Sequence, residues 1–448
     1  MKKNYWYIIL LIFFVATVSF VVIKYKNKQE SEKNVEYILL PRNSQSSKDA
    51  EWVAAKNNVD KLLVKLKINP ADTKSALALA NAYIMEARAS GNIAYYDKAA
   101  MKTVDAILLK DANNYEALML RSLLQLSQHH FADGLATAQA AVSINPNSAF
   151  VYGLLVDANI EMGHYDSALD AADKMITIRP DLRSYSRIAY LREIYGDYRG
   201  AIDAMKLAVA AGLTGEESTE WCRVQLARLY ENTGDKEKAY FQYQLSLAAR
   251  PGYAYAFAGL GRIASAEEKY DSAIHYFEQA ADLVSDLGIR EYLAIAYKNA
   301  GRIDKANALN KIVINEMNRN ARAGINDPTI GHYSDKELAY AYLQNNDYDK
   351  AMEHALAEYN RRPKNIDVNE TIAWVYYKRN EFAKALPYVE AAMVTNSRSP
   401  QLLCIAGLVY SKTGNSGKGK AMMQAALKHD PVMQEDLKKE SMLVLQKL

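Results

Sequence analysis

The chain has 448 residues and a formal net charge of +3, with 24% charged and 50% hydrophobic residues. So near-neutral a balance excludes a strongly basic nucleic-acid face as a bulk property. Length alone suggests two or three domains, unless a repeat array uses the whole chain, because there each repeat contacts only its neighbours.

Residues 5–23 form an uncharged run, preceded by Lys2 and Lys3 and followed by Lys24, Lys26 and Lys28, with Tyr5, Trp6 and Tyr7 at one edge. About twenty apolar residues cross a bilayer as a helix, and aromatic residues suit its interface, so a single-pass anchor is expected within residues 1–26. A cleaved signal sequence is the alternative, although Thr17 and Ser19 are the only small pair near a usable cleavage position. The flanking lysines nearly balance. A long polar domain is translocated largely regardless of its charge, so the bulk of the chain is expected on the extracytoplasmic, periplasmic side.

Residues 27–49 turn polar and mixed in charge, and read as a tether. In residues 50–70, Trp52, Val59, Leu62, Leu63 and Leu66 stand at helical spacing and predict a lone capping helix. The repeat then begins and fills residues 71–431. Its clearest copy spans residues 147–180, where Phe150, Leu154, Leu155 and Ala158 give one helical period, Gly163 a break, and Tyr165, Ala168, Leu169, Ala172 and Ile176 a second period.

A small residue marks the start of each second helix: Ala100, Gly134, Ala168, Ala201, Ala239, Ala273, Ala306, Ala351, Ala385 and Gly419. The steps between them are 34, 34, 33, 38, 34, 33, 45, 34 and 34 residues. Twelve residues upstream a second small position recurs at Ser122, Ala189, Ala227, Gly261, Ala294, Ala339, Ala373 and Gly407, with Val156 the exception; in the first unit Ala80 fills the role from eight residues further back. Paired small residues let two helix backbones cross closely. This period-34 helix-turn-helix pattern resembles the tetratricopeptide repeat superfamily. The resemblance implies an all-α, right-handed superhelical solenoid of about ten repeats, which with the leading segment gives a membrane-anchored bacterial protein of no assigned activity. Residues 219–236 and 332–352 also resemble a narrower, mostly exported group of bacterial repeat proteins, and this supports export.

Regularity fails at a few places. Residues 87–96 are expected to lengthen the first turn, and an insert at 318–331 adds about a third of a repeat. Ser334 and Glu337 read as a capping box that restarts the helix at Asp335, and Pro387 predicts local bending. Residues 432–448 read as a C-terminal capping helix.

Little catalytic chemistry is visible. The seven histidines stand in no zinc-binding spacing, and His130 and His164, equivalent in adjacent repeats, lack a third ligand, so no metal site is expected. Residues 414–419 lack the order of a phosphate loop, and no nucleophile elbow occurs. Neither an enzyme nor a cofactor is expected; a lid formed by the insert would have only Asp327 and His332 as candidates. Cys222 and Cys404 lie five repeats apart, too far to bridge, and read as buried thiols.

The resemblance places first helices along a concave groove, and with them Phe150, Arg183, Tyr190, Trp221, Arg228, Tyr255, Arg262, Tyr333, Tyr340, Trp374 and Tyr377. Tyr, Trp and Arg dominate binding hot spots. The expected function is a membrane-tethered scaffold, held through residues 5–23, that binds a protein or peptide in this groove, with neither nucleic acid nor a small-molecule substrate implied. A carboxylate clamp of the kind some relatives use is not matched, since Tyr340 follows Lys336 where Asn would be wanted. The alternative is a permanent structural subunit of a membrane or envelope complex, packed through its outer helices.

Overall fold

Helices cross where the small residues sit. Ala100, Ala168, Ala201, Ala239, Ala273, Ala351 and Ala385 are fully buried, as are their partners Ala189, Ala227, Ala294, Ala339 and Ala373. In the last pair a Cβ added to Gly407 would lie 2.8 Å from the Gly419 carbonyl oxygen, and one on Gly419 would lie 2.5 Å from that of Gly407. Such contact leaves no room for even a methyl group.

The computed structural model describes residues 3–33, 36–42, 50–326 and 332–448. They fall into two compact units, Met1–Leu40 and Pro41–Leu448. In the first, α1 (Lys3–Lys33) is a single helix whose described apolar side chains, Ile9 to Phe14 among them, are exposed. Among the described residues no helix is long and apolar enough to cross a membrane; the side chains of Tyr5, Ile8 and Val21, within the expected span, lie outside the described ones.

In the second unit every described element is a helix. After α2 (Ala50–Ile68) come ten hairpins, which together use α3 to α22. Hairpin 1 pairs α3 (Thr73–Ser90) with α4 (Ile93–Leu108), and hairpin 2 pairs α5 (Tyr115–Ser127) with α6 (Phe131–Ile144). Hairpin 3 is α7 (Ala149–Glu161) with α8 (Tyr165–Ile178), hairpin 4 is α9 (Leu182–Ile194) with α10 (Tyr198–Ala211). Hairpin 5 joins α11 (Glu217–Asn232) to α12 (Lys236–Ala249), and hairpin 6 joins α13 (Ala254–Ala266) to α14 (Tyr270–Leu283). Hairpins 7 and 8 are α15 (Leu287–Asn299) with α16 (Ile303–Asn326) and α17 (Asp335–Gln344) with α18 (Tyr348–Arg361). Hairpins 9 and 10 are α19 (Ile366–Lys378) with α20 (Phe382–Ala392) and α21 (Pro400–Lys412) with α22 (Ser416–Leu427), followed by α23 (Glu435–Leu445).

All ten tips turn through one residue in the left-handed region: Gly91, His129, Gly163, Gly196, Gly234, Glu268, Gly301, Asn346, Asn380 and Gly414. At several tips an aspartate follows and caps the second helix, as Asp197, Asp235 and Asp347 do by accepting from Gly200, Lys238 and Lys350 N–H.

Several sequence expectations change here. The first turn is short, because residues 87–90 extend α3 and only Gly91 and Asn92 link it to α4. Most of the expected insert is helical, since α16 runs on to Asn326; residues 327–331, with Asp327, lie outside the described residues, as do 43–49 of the expected tether. Helix α17 does start at Asp335, but Ser334 makes no side-chain cap, so the expected capping box is not formed. Pro387 lies inside α20. Cys222 and Cys404 are buried thiols, whose acidities burial weakens to about 12 and about 11.

The expectation that each repeat contacts only its neighbours also fails. The tip of each early hairpin packs on a connecting loop five hairpins later. Ser285 N–H donates to the Ser90 carbonyl, Tyr333 N–H to Gln128 and Val432 N–H to Glu231, each at 3.0–3.2 Å. At hairpin 3 the Asn365 side chain does the same, reaching the Ile160 and Glu161 carbonyls at 3.3 and 3.1 Å. These acceptors are the last carbonyls of first helices, which have no partner inside their own helix. The array therefore completes a turn in about five or six repeats, and the second turn caps the helix ends of the first.

Ion pairs reinforce this seam. Arg362, 3% exposed, pairs with Glu358 on its own side and Glu161 across it. Lys236 reaches Asp430 at 2.5 Å, and Arg250 reaches Glu51 at 2.9 Å.

Candidate functional site

First helices face the inside of the winding, and their side chains divide into a part engaged within the protein and a part left open. The engaged part centres on hairpins 8 and 9. Lys336 pairs with Asp367 at 3.1 Å, and Gln401 donates to Glu370 at 2.6 Å and to the Tyr340 hydroxyl at 3.3 Å. Lys336, and then hydrogen bonding to it, holds Asp367 below the usual carboxylate range despite burial. Burial, then the Asp367 charge, pushes Glu370 up to about 7.

Tyr190, from hairpin 4, looks into the same space. It is 40% exposed, yet burial raises the pKa of its hydroxyl strongly and the charges of Asp367 and Glu161 add to that. Its open surface thus faces an enclosed, charged interior rather than bulk water.

Other expected groove residues are satisfied internally. Arg262 donates to Glu231 at 3.1 Å and to the Tyr243 hydroxyl at 2.8 Å, while Tyr243 donates to Glu231 at 2.6 Å. Tyr333 stacks on His130 at 4.3 Å, with the Arg361 guanidinium 4.4 Å from its ring centre. Tyr255 is half-buried, and its hydroxyl donates to Asp286 at 3.4 Å. Trp374 and Tyr377 are corrected outright. At 6% and 5% exposure they belong to the core, stacked on each other at 5.3 Å, and offer no surface to a partner. Family register pointed them inward; packing between hairpins closes over them.

The open part lies on hairpins 3 to 5. A cleft of about 340 Å³ opens between the starts of α7 and α9, lined by Ser148, Phe150, Arg179, Asp181, Arg183 and Arg187 among others. Arg183 lies over the Phe150 ring, 4.8 Å from its centre. Arg187 is held by Asp157 through two bonds of 2.9 and 2.6 Å, and Arg179 reaches Asp181 at 3.1 Å. Burial, and then the neighbouring Arg187, draws the Arg183 proton affinity down, with Asp181 opposing. Further along, Trp221 is 42% exposed and Arg228 is exposed. Chemically, three guanidinium groups around an aromatic floor suit a carboxylate attached to an apolar group.

Of the eleven residues expected in the groove, Phe150, Arg183, Tyr190, Trp221 and Arg228 thus keep surface on this inner side. Arg179 and Arg187 were missed. Arg179 precedes Pro180 in a connecting loop, and the arginines gather only once hairpins 3 and 4 are paired.

A wound array of helical hairpins with an aromatic and arginine-rich inner face belongs to the class of repeat scaffolds. Residues 222–253 and 256–291 each match a family model described as Tetratricopeptide repeat. Those two stretches thus match tetratricopeptide repeats, and they coincide with hairpins 5 and 6 of the array. Among solved structures it is similar to a tetratricopeptide repeat protein from Parabacteroides merdae, with 16% identity over 56% of this chain and 96% of that one, and a TM-score of 0.43. It is also similar to a thermophilic repeat protein of Thermus thermophilus, with 20% identity, 43% and 97% coverage and a TM-score of 0.37. A third is PilW, described as a type IV pilus biogenesis factor, with 14% identity, 44% and 91% coverage and a TM-score of 0.37. No curated protein matches the chain. Repeat proteins of this superfamily bind protein partners, and the fold is typically a non-catalytic scaffold.

Proposed function

We propose that the chain is a binding scaffold that captures an acidic or carboxylate-ended segment of a protein partner on the inner face of hairpins 3 to 5. The cleft carries this reading: Arg183, exposed, stacks on Phe150, whereas Arg262 and Arg362 of the later hairpins are matched by carboxylates. Trp221 and Arg228 extend the surface along the same face. Catalysis is not part of the proposal.

The test is proximity cross-linking and pull-down from intact membranes, comparing the wild type with a chain carrying Arg183→Ala and Trp221→Ala, both exposed changes expected to leave the circular dichroism intact. Loss of one dominant partner supports the cleft. An unchanged set of partners moves weight to the reading in which outer helices pack into a permanent complex, which exposed Leu207, Tyr240 and Phe241 on α10 and α12 favour.

Membrane tethering is part of the same proposal. The uncharged run at 5–23, with lysines on both sides, supports α1 as a single-pass anchor with the repeats on the extracytoplasmic side. The full chain should stay with membranes after alkaline extraction, and protease added to spheroplasts should digest the repeats. Release by alkali would remove the anchor, and protection from protease would reverse the orientation.

A further inference from the structure

The seam between hairpins 2 and 8 gathers three groups with no place in the scaffold described so far. His129 forms the tip of hairpin 2, and His332 and Glu337 lie just before and on the first turn of α17. One ligand atom from each lies within 4.8 Å of the others, and the two rings are 4.1 Å apart at their centres.

Protonation is fixed by the neighbours. His129 Nδ1 is 2.9 Å from the Tyr333 carbonyl oxygen. A carbonyl only accepts, so Nδ1 carries the hydrogen, and in the neutral ring Nε2 presents a lone pair. His332 Nδ1 is buried without a hydrogen-bond partner, while the ring bonds to the Ser127 backbone. The hydrogen therefore sits on Nε2 and the free lone pair on Nδ1. Glu337 Oε2 is likewise buried without a partner, having failed to form the capping box its position predicts. With both rings neutral, two imidazole lone pairs and a carboxylate oxygen thus face one another, and His332 Nδ1 and Glu337 Oε2 are buried without a partner. Leaving buried acceptors unmatched is unfavourable, and a cation removes the mismatch.

We infer that His129, His332 and Glu337 form a binding site for a divalent transition-metal ion of the zinc type, which ties the first superhelical turn to the second. Two histidines and a glutamate are an established zinc donor set, with water completing the tetrahedron. The carbonyls of Tyr333 and Ser127 act as the outer partners that fix ring orientation in such sites. Ligand atoms around zinc lie roughly 3.3 Å apart, a spacing side-chain rotation reaches from the one observed. A histidine at the tip fits this role as well. Six of the ten tips use glycine for the left-handed turn, and His129, at φ 62°, takes that conformation with a side chain that reaches the seam.

The test uses the full chain, stripped with chelator and returned to chelator-free buffer. Titration with zinc chloride in a calorimeter should show one equivalent bound, and zinc should raise the melting temperature. His332→Gln and, separately, the milder Glu337→Gln should each weaken binding at least about tenfold and abolish the thermal shift, whereas His164→Gln should change neither. Cobalt in place of zinc should give the visible absorption of a tetrahedral site in the wild type and lose it in Glu337→Gln. Absence of stoichiometric binding by the wild type, or binding that survives in both ligand variants, overturns the site. The mismatch would then be met by water.

Discussion

Hairpin tips of the first and second superhelical turns use the same turn and carry different loads. Gly163 and Gly234 lie at φ 73° and 78°, and Gly301 and Gly414 at 74° and 86°. A Cβ on Gly163 would meet the Lys364 backbone at 2.4 Å, and one on Gly234 would meet the His429 carbonyl oxygen at 1.6 Å. On Gly301 or Gly414 it would meet nothing within 4 Å. All four positions use glycine's left-handed freedom, but only the first pair also needs its lack of a side chain, because a later loop crosses there.

The ion pairs at the tips separate in the same way, and they give the largest expected effect. Arg362→Ala strands Glu161 at the seam, while Glu358 keeps Arg361, and should cost about 3–5 kcal/mol in urea unfolding. Arg302→Ala, which breaks the exposed pair with Asp271 at a second-turn tip, should cost at most about 1 kcal/mol. Equal costs would mean that the seam does not desolvate Arg362.

Next come the glycines. Gly414→Ala should cost about 1–2 kcal/mol for the left-handed backbone alone. Gly234→Ala should cost about 1–3 kcal/mol more, since the obstructing atom is backbone and cannot rotate away. Thermal or urea unfolding of the two variants side by side reads the difference directly.

The smallest effect is a pH slope. Burial, and then Asp367, pushes the Glu370 carboxyl up to about 7 from its ordinary value near 4.5, partly offset by Gln401, Lys336 and Tyr340. A carboxyl with a raised native pKa binds its proton more tightly when folded. Its stabilising contribution is complete below about 4.5 and is lost as pH rises through about 7. Stability of the wild type should therefore fall over that window more steeply than that of Glu370→Gln. Parallel melting curves from pH 5 to 8 would show Glu370 to be solvated instead.

The contrast also marks what the sequence makes legible. Hairpins were readable because crossing residues such as Ala239 and Gly407 recur locally, at a period set by one repeat. The seam was not, since Gly163 meets Lys364 across 201 positions, and contacts at that distance leave no period in the chain. Of the open inner face, Phe150, Arg183 and Trp221 were readable as types suited to recognition. That Trp374 is buried instead depends on how hairpins 8 to 10 pack around it. Ser334 and Glu337 show a local rule yielding to tertiary placement: the spacing fits a capping box, but Glu337 points into the seam and its oxygen faces histidines.

The winding itself is tested most directly by zero-length carbodiimide coupling of the dilute protein, followed by peptide mass spectrometry. Lys236 and Asp430, separated by 194 positions and 2.5 Å apart, should give a prominent long-range cross-link within one chain. Cross-links confined to neighbouring hairpins, with none between hairpin 5 and the loop before α23, would contradict a second turn stacked on the first.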